Sequence, residues 1–515
     1  MNGDIISQVL QNVFSFQVIA ALFMGVVGGI IVGSLPGLSA TMAVALLIPV
    51  TFGMEPVAGL TMLTAIYTSA LYGGSISAIL IHTPGTPASA ATSLDGYQMT
   101  KKGQGAKAIG VSTISSMIGG FISALALLFL APPLSKISLA FSAPEYFLIA
   151  VFGLTIIGSL AAKSMLKGLT AGVIGLLIGS IGVDILTGYP RFTFGSITLE
   201  SGVSLVPAMI GLFSLSQVMI QAEKRGRLNQ KKISKEAMSG KVLPTMSEFK
   251  SIFTTIIRSS GIGVFVGMLP GAGGDIGSWV GYNEAKRFSK NKDKFGKGCI
   301  EGVAAPEAAN NAVTGGALIP LMTLGIPGSA TTAVLLGGLM IQGLVPGHEL
   351  FTTHAGITYS VIVGFIIANI LMGIVGLAGA RMFVKVSSIP ENILGAIIIG
   401  LCVVGSFAIS NNIFDVWVMV VFGIIGYFMR KTGFHPAPVI LGMILGPIAE
   451  NGLRQSFLMA KGNVLTYYLS RPISVILILL VIVALFSPML MKWWEKRGAG
   501  AIPPNASDEE TSKTL

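Results

Sequence analysis

The sequence predicts an all-α polytopic membrane protein with two inverted-topology repeats, broken helices or re-entrant hairpins, and one extra C-terminal helix. Three observations lead to this prediction: the composition is apolar, several motifs occur twice in the same order, and proline-glycine pairs interrupt apolar segments. Of the 515 residues, 52% are hydrophobic and 11% are charged, whereas soluble domains carry about 25% charged residues. Apolar runs of nearly spanning length recur along the chain, so we expect a lipid bilayer around it.

The two halves of the chain carry the same motifs in the same order. One pair is GSLPGLSA at 33–40 and GMLPGAGG at 267–274, and a second is YGGSISAILIHTPGTPASAAT at 72–92 and TGGALIPLMTLGIPGSATTA at 314–333. A third pair, at 142–159 and 387–406, opens near Pro-Glu and closes with Gly-Ser. The predicted organisation is a first membrane repeat at 1–222, a basic cytoplasmic connection at 223–257, a second membrane repeat at 258–461, an extra transmembrane helix at 472–491 and a cytoplasmic tail at 492–515.

The distribution of charge predicts how the chain crosses the bilayer. Basic residues outnumber acidic ones in the connection and directly after the last apolar run, which predicts that both regions are cytoplasmic. An even number of crossings then separates them, and subtracting the extra helix leaves an odd number for repeat two, which inverts it relative to repeat one. The basic stretch YNEAKRFSKNKDKFGKG and the side chains of Arg454, Lys461 and Arg471 do not fit a simple count, so some segments are expected to be re-entrant.

Four proline-glycine pairs interrupt apolar segments at equivalent places in the two halves. Proline removes a backbone N–H and clashes with the preceding turn, and glycine permits the backbone angles that follow. Unpaired backbone groups are tolerated inside a bilayer only where protein or a polar cavity surrounds them, and such breaks in repeats indicate a substrate site. The predicted helix breaks are Pro36, Gly37, Pro84, Gly85, Pro270, Gly271, Pro327 and Gly328.

Hydroxyl and amide side chains cluster around these breaks. The N-terminus of a half-helix offers free N–H groups and partial positive charge to a carboxylate, and exposed carbonyls suit small cations. The alternative is that the small residues serve only close helix packing, but four pairs in symmetric positions favour a substrate site. The predicted substrate-binding residues are Ser39, Thr41, Ser75, Thr83, Thr86, Asn310, Asn311, Ser329 and Thr331.

Two carboxyl groups are candidates for binding a coupling ion. Glu307 lies with the two asparagines in EGVAAPEAANNAVTGG at 301–316, and Asp275 follows Pro270 by five residues. An ionisable residue inside a membrane is functional by default. Glu307 could carry a proton or help bind a cation, unless this stretch is a surface loop, and Asp275 could instead cap a helix.

Long motifs give the chain a resemblance to a known family. They are GSLPGLSATMAVALLIPVTF, YGGSISAILIHTPGTPASAATSLDGY, RFTFG, MLPGAGG, YNEAKRFSK, FGKGCIEGVAAPEAANNAVTGGALIP and TLGIPGSATTAVLLG. In these strings the chain resembles the large permease subunit of the tripartite tricarboxylate transporters, the TctA-type family. The resemblance implies a permease that imports citrate or related organic carboxylates together with a small membrane subunit and a periplasmic solute-binding protein.

The resemblance also implies a setting and an energy source. A cation gradient, of sodium or protons, would drive import, and no other cofactor is implied. The chain would cross the bacterial cell inner membrane several times, with a periplasmic N-terminus and a cytoplasmic C-terminus, and a homodimer is compatible with this arrangement. Because Asp4 and no basic residue precedes the first apolar run, we expect that run to be a retained helix and not a signal peptide.

Other classes of protein fit the residues less well. The aspartates lack the pattern of intramembrane proteases, no GxxxxGK[ST] loop is present, and the histidines show no metal-binding pairing, so we expect neither an enzyme nor a metal site. The net charge of +11 lies mainly in connections between apolar runs, which favours cytoplasmic loops over nucleic acid. A channel-like pore for organic anions is the alternative. Arg191, near Asp184, could orient a carboxylate, but it is expected to form a structural interfacial ion pair, and both cysteines are expected to be buried or unpaired.

Overall fold

Helices account for most of the regular structure in the computed structural model, which describes residues 3–35, 37–160, 164–184, 187–223, 240–386, 391–460 and 462–498. The helices are α1 (Gly3–Val13), α2 (Phe16–Ser34), α3 (Ala40–Thr51), α4 (Pro56–Ile81), α5 (Ala90–Lys101), α6 (Gly105–Ser135), α7 (Ala143–Leu160), α8 (Met165–Gly179), α9 (Ile197–Glu200), α10 (Leu205–Met209), α11 (Ser216–Glu223), α12 (Met246–Met268), α13 (Gly273–Phe288), α14 (Ile300–Leu324), α15 (Ala330–Ile341), α16 (His348–Phe351), α17 (Ala355–Val386), α18 (Glu391–Ser410), α19 (Ile413–Lys431), α20 (Ala437–Met459), α21 (Val464–Leu469) and α22 (Pro472–Gly498). A π-helical segment, Ile210–Leu215, joins α10 to α11, and short 3₁₀ turns lie at Pro87–Ser89, Lys136–Ala140 and Lys292–Lys294. Two short strands, β1 (Gly182–Val183) and β2 (Pro190–Arg191), pair antiparallel.

Seven helices in the described part of the chain are long and apolar enough to cross a membrane. They are Phe16–Ser34, Pro56–Ile81, Gly105–Ala140, Leu205–Glu223, Met246–Met268, Ala355–Phe383 and Ile413–Lys431. The predicted all-α polytopic membrane fold is therefore confirmed. Two apolar helices that follow breaks, α3 and α15, have 12 residues each. At 1.5 Å per residue each is roughly 18 Å long, well short of the ~30 Å hydrocarbon core.

The same series of helices occurs in both halves, and the halves interlock. Helices α2 to α8 have their counterparts in α12 to α15 followed by α17 to α19. Within each half the first long helix packs on the third, as α2 does on α4 and α12 on α14. Between the halves, α14 packs on α6, and α17 packs on α4. The repeated order agrees with the predicted duplication, and the inversion of one half relative to the other stays a prediction.

A helix begins before the predicted start of the second repeat at Arg258. Helix α12 starts at Met246, inside the segment predicted as connection, because Thr245 and Glu248 form a capping box that satisfies free backbone N–H groups at its start. Residues 224–239 of the predicted connection, Lys461 and the tail from residue 499 lie outside the described residues. Helix α22, Pro472–Gly498, covers the segment predicted as an extra transmembrane helix at 472–491, and that it crosses the membrane stays a prediction.

Helix α14 lies at the centre of the packing, and the sequence explains why. Its residues from Gly302 to Thr323 are all buried, so the alternative of a surface loop for residues 301–316 is wrong. Small side chains let neighbouring helices approach closely: Gly119 of α6 lies against the backbone of Ala308, and Gly263 of α12 lies against that of Ala309. Both cysteines are free and buried, as expected.

Candidate functional site

The first break of each half has the same geometry. Helix α2 ends two residues before Pro36, and α12 ends two residues before Pro270. Gly37 has φ +84° and Gly271 has φ +79°, which is the left-handed region that glycine enters without steric cost. Pro36 itself lies outside the described residues. After each break the chain turns directly into a new helix, α3 in one half and α13 in the other.

The second break of each half needs glycine for a different reason, which is close approach to a backbone carbonyl. Helix α4 ends at Ile81, ahead of Pro84, and α14 ends at Leu324, ahead of Pro327. A Cβ atom on Gly328 would lie 2.7 Å from the Gly267 carbonyl oxygen. On Gly85 a Cβ atom would collide with the carbonyl oxygen of Gly33, the matching residue of the first half. Each second break is therefore pressed against the end of the helix that carries the first.

Two of the predicted hydroxyl residues cap the half-helices. The Ser39 hydroxyl accepts a hydrogen bond from Met42 N at 3.2 Å at the start of α3. The Ser329 hydroxyl accepts one from Thr332 N at 3.2 Å at the start of α15. The hydroxyls of Thr41 and Thr331 lie 2.8 Å apart and are buried. The half-helices of the two repeats therefore meet at their N-termini, where free N–H groups favour an anion.

The remaining hydroxyl residues lie in three different settings. Thr86 is buried, and its hydroxyl lies 3.0 Å from the Ser89 hydroxyl at the first-half break. Thr83 is exposed, and its hydroxyl is 3.4 Å from Ile81 O. Ser75 is buried one residue after Gly74, inside the bundle. Only Thr86 of these three lies at a buried break.

Asn310 has the most unusual environment of the predicted residues. It is fully buried, and neither its Nδ2 nor its Oδ1 has a hydrogen-bond partner. The neighbouring Asn311 donates through Nδ2 to the Thr68 hydroxyl at 3.1 Å, and its Oδ1 has no partner. Buried polar groups in proteins are almost always paired. An amide with a free donor and a free acceptor is therefore a candidate for binding a ligand.

The N-terminus of α13 lies beside this amide. A Cβ atom on Gly274 would collide with Asn310 Oδ1 and would lie 3.3 Å from Ala88 of the first-half break. Gly273 N donates to Gly328 O at 3.3 Å, which ties α13 to the second-half break. Asp275 is exposed in the first turn of α13. Asn310 thus faces the point where breaks of both halves meet.

Glu307 lies one turn before Asn310 on α14 and is fully buried. Its Oε1 accepts from the Thr92 hydroxyl at 2.5 Å. Its Oε2 accepts from Ser116 at 2.9 Å and from Ser112 at 3.1 Å. The Ser112 hydroxyl lies 2.7 Å from that of Ser75, which places this predicted substrate residue in the glutamate's hydrogen-bond network. Hydroxyls of α4, α5 and α6 therefore surround a carboxyl group of the other half.

Sequence reasoning also missed the buried carboxylate of Asp95 on α5. Its Oδ1 accepts from Gly298 N at 2.8 Å and Cys299 N at 2.7 Å, and its Oδ2 accepts from Gly296 N and the Tyr282 hydroxyl, both at 2.9 Å. Charge-assisted hydrogen bonds of this kind are among the stronger ones in proteins. Asp95 therefore ties the first half to the loop that precedes α14. Its signal in the sequence was a lone aspartate within the motif SLDGY.

Arg191 forms an ion pair, as expected, but with a different partner. Its guanidinium donates to both oxygens of Glu450, at 2.7 and 3.2 Å. Arg454 bridges Glu450 and Asp184, at 2.7 and 2.8 Å. These side chains connect the β1–β2 ribbon to α20 and lie apart from the breaks.

A separate cavity of about 570 Å³ opens between α7, α15, α16 and α20. Its lining is mainly apolar and includes the polar groups of Tyr146, His348, Glu349 and Asn451. Gly325, at the end of α14, forms part of its wall. None of the predicted substrate-binding residues lines this cavity, although its wall includes the end of α14 that precedes the second-half break.

Comparison of the whole sequence with known proteins shows the family to which the chain belongs. The family model for the tripartite tricarboxylate transporter TctA family matches residues 19–441. A protein of Agrobacterium vitis, described as an uncharacterized 52.8 kDa protein in the TAR-I ttuC' 3'region, is 38% identical over 447 residues, or 86% of this chain and 88% of that protein. A second Agrobacterium vitis protein, described as uncharacterized in the TAR-II ttuC' 3'region, is 37% identical over 235 residues, or 46% of this chain and 97% of that protein. No solved structure matches the chain. All four breaks and the buried asparagines fall inside the matched region, and the chain belongs to the tripartite tricarboxylate transporter TctA family.

Proposed function

We propose that this chain is the membrane permease of a binding-protein-dependent secondary transporter that imports citrate or related organic carboxylates, driven by a cation gradient. Its partners are a small membrane subunit of the same transporter and a periplasmic solute-binding protein, in keeping with the tripartite family. It lies in the bacterial inner membrane with its N-terminus in the periplasm and its C-terminus in the cytoplasm.

The observation that carries this proposal is the unpartnered amide of Asn310 at the meeting point of the breaks. The amide Nδ2 can donate to a carboxylate oxygen, and its Oδ1 can accept from a hydroxyl or ligate a cation. The N-termini of α3, α13 and α15 add backbone N–H groups and partial positive charge. The proposed site binds the carboxylate without a positively charged side chain, so the carboxylate can be released again.

Import then follows from alternate opening of this site to the two sides of the membrane. Substrate from the binding protein reaches the breaks, where Asn310 and the hydroxyls of Thr41 and Thr331 hold its carboxylates. A coupling cation offsets the negative charge of the substrate. Because each second break is pressed against a long helix, the break and its helix move together when the site reopens.

A channel-like pore for organic anions is the alternative function, and it makes a different kinetic prediction. A pore conducts without saturating at a single binding event, whereas a carrier saturates and accumulates substrate against a gradient. The deciding experiment is uptake of labelled citrate and a panel of dicarboxylates into proteoliposomes that contain this chain and its small subunit, with and without the binding protein and an imposed cation gradient. Saturable, gradient-dependent uptake supports the carrier, and non-saturating flux that ignores the gradient supports the pore.

A matched pair of variants tests whether the breaks form the site. Thr331→Val removes the hydroxyl that contacts Thr41 and keeps the side-chain shape. Thr323→Val is the control, because that buried hydroxyl donates only to Ile319 O of its own helix, at 2.7 Å. We expect Thr331→Val to reduce uptake severalfold and Thr323→Val to leave it near wild type. If the two variants transport equally well, the breaks do not form the substrate site.

A further inference from the structure

The hydrogen-bond network of Glu307 is built from hydroxyl groups, and among the described residues no positively charged side chain takes part in it. Among the described residues, no ion pair includes Glu307, and its hydrogen-bond partners are hydroxyl groups of α5 and α6. The buried Tyr72 of α4 is linked to the same cluster of hydroxyls, because its own hydroxyl lies 2.7 Å from that of Thr113 on α6. Charged side chains on the helices packed around α14 have other surroundings: Asp95 accepts loop amides, Lys107 pairs with Glu248, Arg258 pairs with Glu284, and Asp275 is exposed.

Leaving a carboxylate in this environment without a cation is costly. A buried charge is normally paired or neutralised, since the protein interior solvates it poorly. The fold itself does not demand a carboxyl group here, as its duplicated half shows.

The packing of the breaks fixes which residues are equivalent in the two halves. Gly73 lies against Ile30 O, and Gly316 lies against Val264 O. Counting nine residues back from each of these glycines leads to Thr64 in the first half and to Glu307 in the second. This pairing differs by one residue from an alignment of the strings YGGS and TGGA, which would match Gly73 with Gly315 and not with Gly316.

The surroundings of Thr64 are apolar. Its hydroxyl donates to Thr61 O within its own helix, at 3.0 Å. The small cavity beside it is lined mainly by apolar side chains, among them leucines 60, 318, 321, 335, 339, 344 and 350, and also by Thr358. Leu335 stands seven residues after its break glycine, as Thr92 does in the first half. The same helix junction is thus lined mainly by hydrocarbon in one half and by a carboxyl group and hydroxyls in the other.

The geometry around Glu307 suits a proton better than a metal cation. The oxygen–oxygen distances of 2.5 to 3.1 Å are those of direct hydrogen bonds, and a metal ion held between these oxygens would have to push them apart. A hydroxyl donates or accepts according to how it rotates. The serines can therefore donate to the ionised carboxylate and accept from the protonated acid without moving their oxygens.

We propose that Glu307 binds and releases the proton whose gradient drives transport. This inference rests on the proposed function and names its coupling ion. A proton joins a carboxylate oxygen of Glu307 when the site faces one side, and it leaves to water when the site faces the other. The hydrogen-bonded chain continues from Ser112 to Ser75. The adjacent Gly74 carbonyl accepts from Gly85 N at 3.1 Å at the break, which connects the proton site to the substrate site.

The first test does not depend on transport. Infrared difference spectra of the purified protein in lipid, between mildly acidic and mildly alkaline buffer, report the carbonyl stretch of a protonated carboxyl group. We expect a band in wild type that is lost in Glu307→Gln, an amide that keeps hydrogen bonds to the hydroxyls. Glu301→Gln, on the first turn of the same helix, is the control and should retain the band. A wild-type spectrum without a Glu307-dependent band would overturn the proposal, even if transport is normal.

The second test separates this proposal from the proposed function. In proteoliposomes with both partners, an imposed proton gradient should drive accumulation of labelled citrate by wild type and by Glu301→Gln. Glu307→Gln should lose accumulation by at least tenfold and retain exchange of citrate between the two sides, which needs no net proton movement. Gradient-driven accumulation by Glu307→Gln equal to wild type would overturn the proposal. If wild type carries no substrate of the panel, the proposed substrate fails, and the infrared result still decides the role of Glu307.

Discussion

Replacing Asn310 by leucine should make the ligand-free protein more stable and at the same time abolish transport. Both polar atoms of Asn310 are buried without a hydrogen-bond partner. A buried polar group left unsatisfied costs about 1–3 kcal/mol, and an apolar side chain of similar size removes that cost. We therefore expect the free energy of unfolding to rise by about 1–3 kcal/mol. A buried asparagine whose amide is hydrogen-bonded would show no such gain.

The matched control is Asn369→Leu on α17. Asn369 is also fully buried, but its Oδ1 accepts from the Thr68 hydroxyl at 2.7 Å and its Nδ2 donates to Phe365 O at 2.8 Å. Leucine there deletes two hydrogen bonds worth about 0.5–1.5 kcal/mol each and leaves the Thr68 hydroxyl without its acceptor. Unfolding in mixed detergent micelles, followed by tryptophan fluorescence, measures both variants, and citrate uptake measures function. If Asn310→Leu is destabilised as much as Asn369→Leu and still transports, the assignment of Asn310 to the site is wrong.

Three further predictions concern other parts of the fold. Gly328→Ala should destabilise the protein by about 1–3 kcal/mol, the usual cost of overpacking, because its Cβ would lie 2.7 Å from a carbonyl oxygen; Gly261→Ala on α12, with nothing within 4 Å, should be neutral or stabilising in the same unfolding assay. Asp95→Asn should speed hydrogen exchange and proteolysis in residues 289–299, since the loop amides lose a charged acceptor worth about 1.5–3 kcal/mol per bond; unchanged protection would contradict this role. Arg191→Gln should cost about 0–1 kcal/mol, as partly exposed ion pairs do, and lower the yield of assembled protein without changing substrate preference; normal assembly with lost carboxylate binding would refute the structural role of its pair with Glu450.

The helix ends were predictable from the sequence because their causes are local. A proline lacks its N–H, and a glycine such as Gly271 reaches φ +79° without strain, whatever surrounds them. The start of α12 was not predicted from the charges around it. Thr245 and Glu248 cap the helix at a point where basic residues suggested a continuing connection.

Side-chain environments were harder to predict because they depend on register between the halves. Ser75 and Thr86 both follow from the same repeated motif, yet Ser75 joins the Glu307 network and Thr86 stays at the break. The one-residue shift between matched strings and matched packing rotates side chains around the helix by about 100°. The partner of Arg191 could not be predicted either, because Glu450 is distant in the sequence and only the tertiary fold brings the two side chains together.

The exchange of helices between the halves has a consequence for biosynthesis. Helix α6 is synthesised with the first half, but α14, against which it packs, is synthesised much later. Helix α17, which packs on α4, is synthesised later still. During insertion the first half therefore holds an incomplete core in the membrane until the second half arrives. If the chain were divided between Glu223 and Gly240, neither fragment would bury these helix faces alone. Such fragments would gain stability only by finding each other in the same bilayer.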